Sequence, residues 1–154
     1  MNCDAKEFAQ MYKDVYRDLY KFALCLMKNT HDAEDAVSEA VLSAFKNIQQ
    51  LKEANAFKQW IFTITANVCR KKLKEKIKER EVYVQEECHQ EDYGVAIDVQ
   101  NAFFILTEEE QEIIGLSVFG GYNSKEIGQM LSINPNTIRS KRSRALEKME
   151  RVLK

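Results

Sequence analysis

From Asn136 to Arg144 the chain reads NTIRSKRSR, and every position but Ile138 carries an amide, a hydroxyl or a cation. Side chains of these types donate hydrogen bonds to phosphate oxygens and to base edges in the major groove of duplex DNA. No carboxylate interrupts the run before Glu147. An ordinary helical hairpin with a solvated face is the plainer alternative, but a solvated helix normally mixes charge signs. Pro135, the single proline of the chain, immediately precedes the run. Proline suits the first position of a helix, where its missing N–H has no helical partner and its φ is preset. The N-terminus it opens is itself favourable to phosphate.

A second group of reactive types is Asp32, Glu34, Asp35 and Glu39. A metal-dependent nuclease needs converging carboxylates and further ligands. Asp35 and Glu39 share a helix face, but no histidine or further ligand joins them. A solvated face that benefits from the helix dipole accounts for these acids as they stand. Cys88-His89 is the one Cys–His neighbour pair, and the four cysteines form no C-x-x-C. Tetrahedral zinc needs four ligands at compatible spacing, so reduced, incidental thiols are the reading of Cys3, Cys25, Cys69 and Cys88. There is no glycine-rich phosphate loop and no paired-carboxylate site. The expectation is a chain that is not an enzyme, with no cofactor and no metal.

Stepping outward from these residues, hydrophobic spacing supplies the elements that carry them. Phe8, Met11, Tyr12, Val15, Leu19, Phe22 and Leu26 make a first amphipathic helix, broken at Asn29-Thr30-His31-Asp32. Asp32 with Asp35 is expected to cap a second helix. In that helix Ala33, Val37, Ala40, Val41, Ala44, Phe45 and Ile48 face inward, and the acids with Ser38 face out. NIQQLKEANA (47–56) reads as an irregular connection. A third helix carries Phe57, Trp60, Ile61, Ile64 and Val68, with Leu73 and Ile77 continuing a thin stripe. Trp60 is read as core; Asn67 breaks the pattern. After a linker, Thr107 and Glu110 form a capping box, and Gly120-Gly121 end the helix that follows. Ser124 is expected to cap Lys125–Leu131, and Asn134 to cap the helix begun by Pro135. The spacing is that of a helix-turn-helix, with Ile127, Leu131, Ile133 and Ile138 as apolar pins and Gly128 at the close approach.

These elements predict an all-α protein of two small helical domains, 1–80 and 99–154, joined by an acidic linker, 81–98. Few prolines and glycines in 154 residues agree with that. Net charge is −1, but it is unevenly spread: CRKKLKEKIKER (69–80) is basic, 81–112 has no Lys or Arg, and the chain is basic again from Arg139. Two basic blocks around an acidic one suggest two nucleic-acid-facing modules, although a Lys/Glu-rich helix such as 69–80 is also compatible with simple solvation. The amphipathic start is not a signal peptide, and no apolar run can span a bilayer, so a cytoplasmic protein without membrane insertion is expected.

Four segments, in order, resemble the sigma-70 family of bacterial transcription initiation factors. DAEDAVSEAVLSAF (32–45) is similar to the family's DAEDLVQEVFLRAW, and WIFTITANV (60–68) to WLYRIARNL. ILTEEEQEII (105–114) is similar to LPERQREVL, and the helix-turn-helix to YEEIAEILGIPVGTVKSRLSRAL. The two-domain layout resembles the extracytoplasmic-function (ECF) group, which keeps the second and fourth conserved regions. The resemblance implies a specificity subunit of RNA polymerase that recognises −35 and −10 promoter elements and helps melt the latter. Asp32, Glu34, Asp35, Ser38, Glu39 and Leu42 would dock on the polymerase β′ clamp helices, and the β flap is a further implied contact. The segment 47–67 would capture the −10 element, with Lys58, Asn67, Arg70, Lys71, Lys72 and Lys74 on the DNA. Arg139, Ser140, Ser143 and Arg144 would face −35 bases, while Asn136, Thr137 and Lys141 touch backbone. The linker would thread through the polymerase. An anti-sigma factor is expected from the resemblance alone. Arg142 departs from the family, which usually has an apolar residue there; the proline is shifted by one place; and NIQQLKEANA lacks the family's RFRGESS flavour. A stand-alone helix-turn-helix regulator is the alternative, but it has no need of the 32–45 helix.

Overall fold

The computed structural model describes residues 3–80 and 97–153, which fall into two compact units. The linker expected at 81–98 lies outside the described residues except for its last two positions. Among the described residues every regular element is helical, as the breaker-poor composition predicts.

The first unit has three helices: α1 (Ala5–Met27), α2 (Thr30–Lys46) and α3 (Phe57–Arg80). Asp4 caps α1 by accepting from the Glu7 amide at 2.8 Å. Lys28 ends α1 in the left-handed conformation, its N–H bonded to the Leu24 carbonyl. The cap of α2 is Asn29, whose Oδ1 accepts from the Asp32 amide at 3.0 Å. This corrects the expected Asp32 cap: Asn29 holds the extended backbone a cap needs, and Asp32 lies in the first turn, where its charge suits the dipole.

Small residues decide how α2 packs. Ala33, Ala36, Ala40 and Ala44 are fully buried at helical spacing and let α1 and α3 approach closely. Leu19, Phe22, Ala23 and Leu26 of α1 and Ile61, Phe62, Thr65, Ala66 and Cys69 of α3 are buried as well, with the Phe22 and Phe62 rings 5.5 Å apart. Thr65 is tolerated inside because its hydroxyl donates to the Ile61 carbonyl at 2.8 Å. Phe45, expected inward, is 42% exposed, because the alanine stripe turns it to the rim. There its ring packs edge-on against Phe8, 5.1 Å between centroids. Val41 is only half-buried for the same reason. The 47–56 connection consists of two short 3-10 turns, Ile48–Gln50 and Ala54–Ala56, with Ile48 and Leu51 buried as its anchors. Trp60 is half-buried beside Phe57.

The second unit holds α4 (Ile97–Phe104), α5 (Glu108–Val118), α6 (Ser124–Leu131) and α7 (Pro135–Leu153). α4 thus begins slightly ahead of the expected start at 99. The Thr107–Glu110 capping box forms in both directions, at 3.2 and 3.0 Å. Buried Gln111 donates to the Phe103 carbonyl and ties α5 to the end of α4. The cap of α6 is Asn123, in a second reciprocal box with Glu126. Ser124, expected as the cap, is the first helical residue: the longer Asn123 side chain, one place earlier, reaches the Glu126 amide. The α6–α7 turn is as expected, with the Asn134 Oδ1 accepting from the Asn136 amide at 2.8 Å and Pro135 opening α7.

Candidate nucleic-acid interface

Gly128 fixes the geometry between α6 and α7. A Cβ there would stand 2.6 Å from the Ile133 carbonyl oxygen and 3.4 Å from the Pro135 ring. The close approach is therefore helix against turn, and the Ile133 amide completes it by donating to the Gly128 carbonyl at 2.9 Å. Ser132 holds the turn at φ 58°, a left-handed position without glycine. Ile127 and Ile138 are fully buried pins; Leu131 and Ile133 are half-buried.

On α7 this scaffold leaves Asn136, Thr137, Arg139, Ser140, Ser143 and Arg144 exposed. Arg139 and Asn136 hydrogen-bond to each other along the helix. Lys141 stands apart from them. Its Nζ donates to Glu109 Oε1 on α5 at 2.6 Å, so it braces α7 instead of standing open to a phosphate. Lys148 makes a similar brace to Glu110 at 2.8 Å. Burial pushes the Glu110 carboxyl up, but the Lys148 ammonium and the Thr107 donors outweigh it and hold the group below the ordinary carboxylate range.

The first unit presents two polar faces. On α2, Glu34, Asp35 and Ser38 are exposed beside Leu42, which is 64% exposed although fully apolar. Asp32 is half-buried at the edge of that face, and Glu39 is exposed on it while also reaching toward α3. Asp32 pairs with Lys76, and Glu39 Oε2 lies 3.1 Å from Lys72 Nζ. The hydrogen bond to Glu39 raises the Lys72 ammonium above its ordinary value against the opposing effect of burial. On α3, Asn67, Lys71 and Lys74 are exposed along one face, with half-buried Arg70 beside them donating to Asn67 Oδ1 at 3.0 Å. Lys58, expected to join that face, lies nine positions before Asn67, about half a turn away around the helix. Lys72 does not join it either, because it faces α2.

Sequence reasoning missed Lys78, which is exposed on the Lys71–Lys74 face. It also missed the two cross-helix ion pairs. A signal existed: Lys72 and Lys76 continue the register of the buried positions Thr65 and Cys69. The thiols play no part in either face. Cys25 and Cys69 are buried and form no disulfide among the described residues, and burial pushes the Cys25 thiol up to about 12, away from the reactive thiolate. Cys88-His89 lies outside the described residues, and among the described residues no cluster could hold a metal ion. No helix among them is long and apolar enough to cross a membrane.

Two family models match the chain: Sigma-70 region 2 over residues 11–78 and Sigma-70, region 4 over 99–149. The ECF RNA polymerase sigma factor SigM of Mycobacterium tuberculosis is 26% identical over 97% of this chain and 79% of its own length. SigV of Bacillus subtilis is 26% identical over 88% of this chain and 84% of its own. Among solved structures, the sigma factor RpoE, in complex with the anti-sigma factor NepR from Bartonella quintana, superposes with a TM-score of 0.84. It is 24% identical and covers 97% of this chain and 98% of that one. CnrH, in complex with the cytosolic domain of CnrY, gives 0.73 at 17% identity, over 97% and 89%.

Proposed function

Because this chain belongs to the ECF group of the sigma-70 family, we propose that it directs core RNA polymerase to promoters by holding a −35 and a −10 element on separate helical units. Its family is one of non-catalytic initiation factors, so the phosphodiester chemistry belongs to the polymerase. The observation that carries the reading is the pair of exposed polar faces on two units that the two region models match. One face lies on α7, directly after a proline-opened helix N-terminus; the other lies on α3.

In this reading the second unit (99–154) reads the −35 element. Arg139, Ser140, Ser143 and Arg144 reach base edges, and Asn136 with Thr137 meets phosphates near the helix start. Arg139 can rotate between Asn136 and a base without unfolding anything. Lys141 contributes by holding α7 in place. The first unit (1–80) takes the −10 element on the Asn67, Arg70, Lys71 and Lys74 face. Melting costs stacking energy, and phosphate contacts with extruded-base pockets offset it. Glu34, Asp35, Ser38, Glu39 and Leu42 form the docking face for the polymerase β′ clamp helices, with the exposed leucine as its apolar centre. The segment 81–98 connects the two. An anti-sigma factor is the class of regulatory partner proposed, and the bacterial cytoplasm is the proposed compartment.

The stand-alone regulator leaves α1 to α3 without a role. Direct binding separates the two readings. The full chain should co-elute with core polymerase and bind promoter duplex weakly without it. Tight binding to duplex alone, with no affinity for core, would sink the sigma reading.

A further inference from the structure

The two arginines that α7 presents on its polar face differ in how they are held. Arg139 and Arg144 are both exposed. Arg139 Nη1 donates to Asn136 Oδ1, one helical turn back. Arg144 has no side-chain partner among the described residues. Asn136 is itself fixed at its backbone: it follows Pro135, whose φ is preset, and its amide donates to Asn134 Oδ1 at 2.8 Å. The oxygen of the Asn136 side chain must face the guanidinium, because arginine has donors only. Its side-chain N–H groups therefore face elsewhere, and they make no hydrogen bond among the described residues. A guanidinium has several N–H donors, and Asn136 takes only one of them. Those left over can make the bidentate contact of arginine with guanine O6 and N7.

We infer that Asn136 is a positioning residue for −35 recognition: its side-chain oxygen holds Arg139 in place to read a guanine, while its side-chain N–H groups meet a phosphate. The inference rests on the proposed function and deepens it. It places one guanine in the −35 element and makes discrimination at that base depend on a residue that touches no base. Arg139 keeps its bond to Asn136 while it reads, so it need not rotate away. Ordering a long arginine side chain costs entropy on binding, and a guanidinium already held loses less. An exposed hydrogen bond contributes little in water, but it strengthens where the DNA groove excludes water. One amide thus links the phosphate contact at the start of α7 to the base contact one turn further on.

The test uses the full chain assembled with core polymerase, on a promoter that the wild-type holoenzyme opens and on versions of it carrying each base at each −35 position. The readout is the base preference in transcription, position by position. Wild type should prefer guanine at one position, and Arg139→Ala should erase that preference, a loss of roughly tenfold or more. Asn136→Ala should lower the preference at that same position about 3–10-fold, the scale of one hydrogen bond, and leave the preferences elsewhere unchanged. The double variant should be no less selective than Arg139→Ala alone, because both changes remove one contact. Asn136→Asp keeps the acceptor and loses the phosphate donors, so it should retain the guanine preference while weakening every promoter. An Asn136→Ala chain that is weaker on all promoters with its guanine preference intact overturns the inference, since a phosphate contact or a purely structural role acts that way. Asn136→Asp losing the preference as fully as Asn136→Ala also overturns it. A wild-type chain that neither binds core nor drives transcription defeats the functional reading, and this inference with it; a wild-type holoenzyme that discriminates at −35 leaves the inference alone at stake.

Discussion

The two cationic faces are built on opposite plans. The α7 face stands on a buried scaffold: Ile138 and Ala145 are fully buried beneath it, Gly128 fixes the turn, and Lys141 and Lys148 brace its flank. The α3 face begins beside buried Ala66 and Cys69 but runs on past them, where no described side chain is buried, Leu73 is half-buried and two partly exposed ion pairs hold the helix. Burial is worth kilocalories and is insensitive to salt, whereas exposed pairs contribute about 0–1 kcal/mol each and are screened. A rigid face suits reading a fixed duplex. A compliant one suits following DNA whose strands separate.

The largest break in this comparison comes from the buried side. Ile138→Ala should destabilise the second unit by about 2–5 kcal/mol, the range for a fully buried isoleucine, and leave the first unit's hydrogen exchange unchanged. Loss of protection in both units would show that they do not fold independently. Next is Arg144→Ala, which should cost about 1–3 kcal/mol of −35 discrimination without altering the melt. Unchanged promoter preference would take Arg144 out of the reading set.

Acid distinguishes the units in a third way. Glu110 has a lowered pKa in the folded state. Its contribution is therefore full above the unfolded carboxylate value, about 4.3, and is lost as pH falls through the lowered folded value. The second unit should lose stability across that window, and Glu110→Gln should shrink the acid-dependent part. An identical acid transition in the variant would assign the effect elsewhere. The smallest effect is expected from salt. Raising ionic strength should speed amide exchange near 72–78 more than at 138–145, because both segments carry partly exposed pairs but only the latter also stands on fully buried residues. Equal protection of both segments in high salt would erase the distinction.

Much of this was legible in the residues, and the limits have physical causes. Pro135 with Asn134 marked the start of α7, and Thr107 with Glu110 marked α5, because caps are local chemistry. At α6 and α2 the residues alone favour Ser124 and Asp32 over Asn123 and Asn29, since neighbouring polar residues compete for one cap and only backbone conformation decides. Phe45 misled by its size: an aromatic at helical spacing suggests core, but the alanine stripe of α2 set the buried face. The division of roles within lysine run 70–78 depended on a partner helix distant in sequence. Only the shared register of Thr65, Cys69, Lys72 and Lys76 hinted at it.

The most direct measurement is run-off transcription with core RNA polymerase, with and without this chain, on the DNA upstream of its own gene. The account predicts a start site that appears only when the chain is present, preceded by −35 and −10 elements. Equal transcripts with and without the chain, on DNA that it binds tightly by itself, would contradict it.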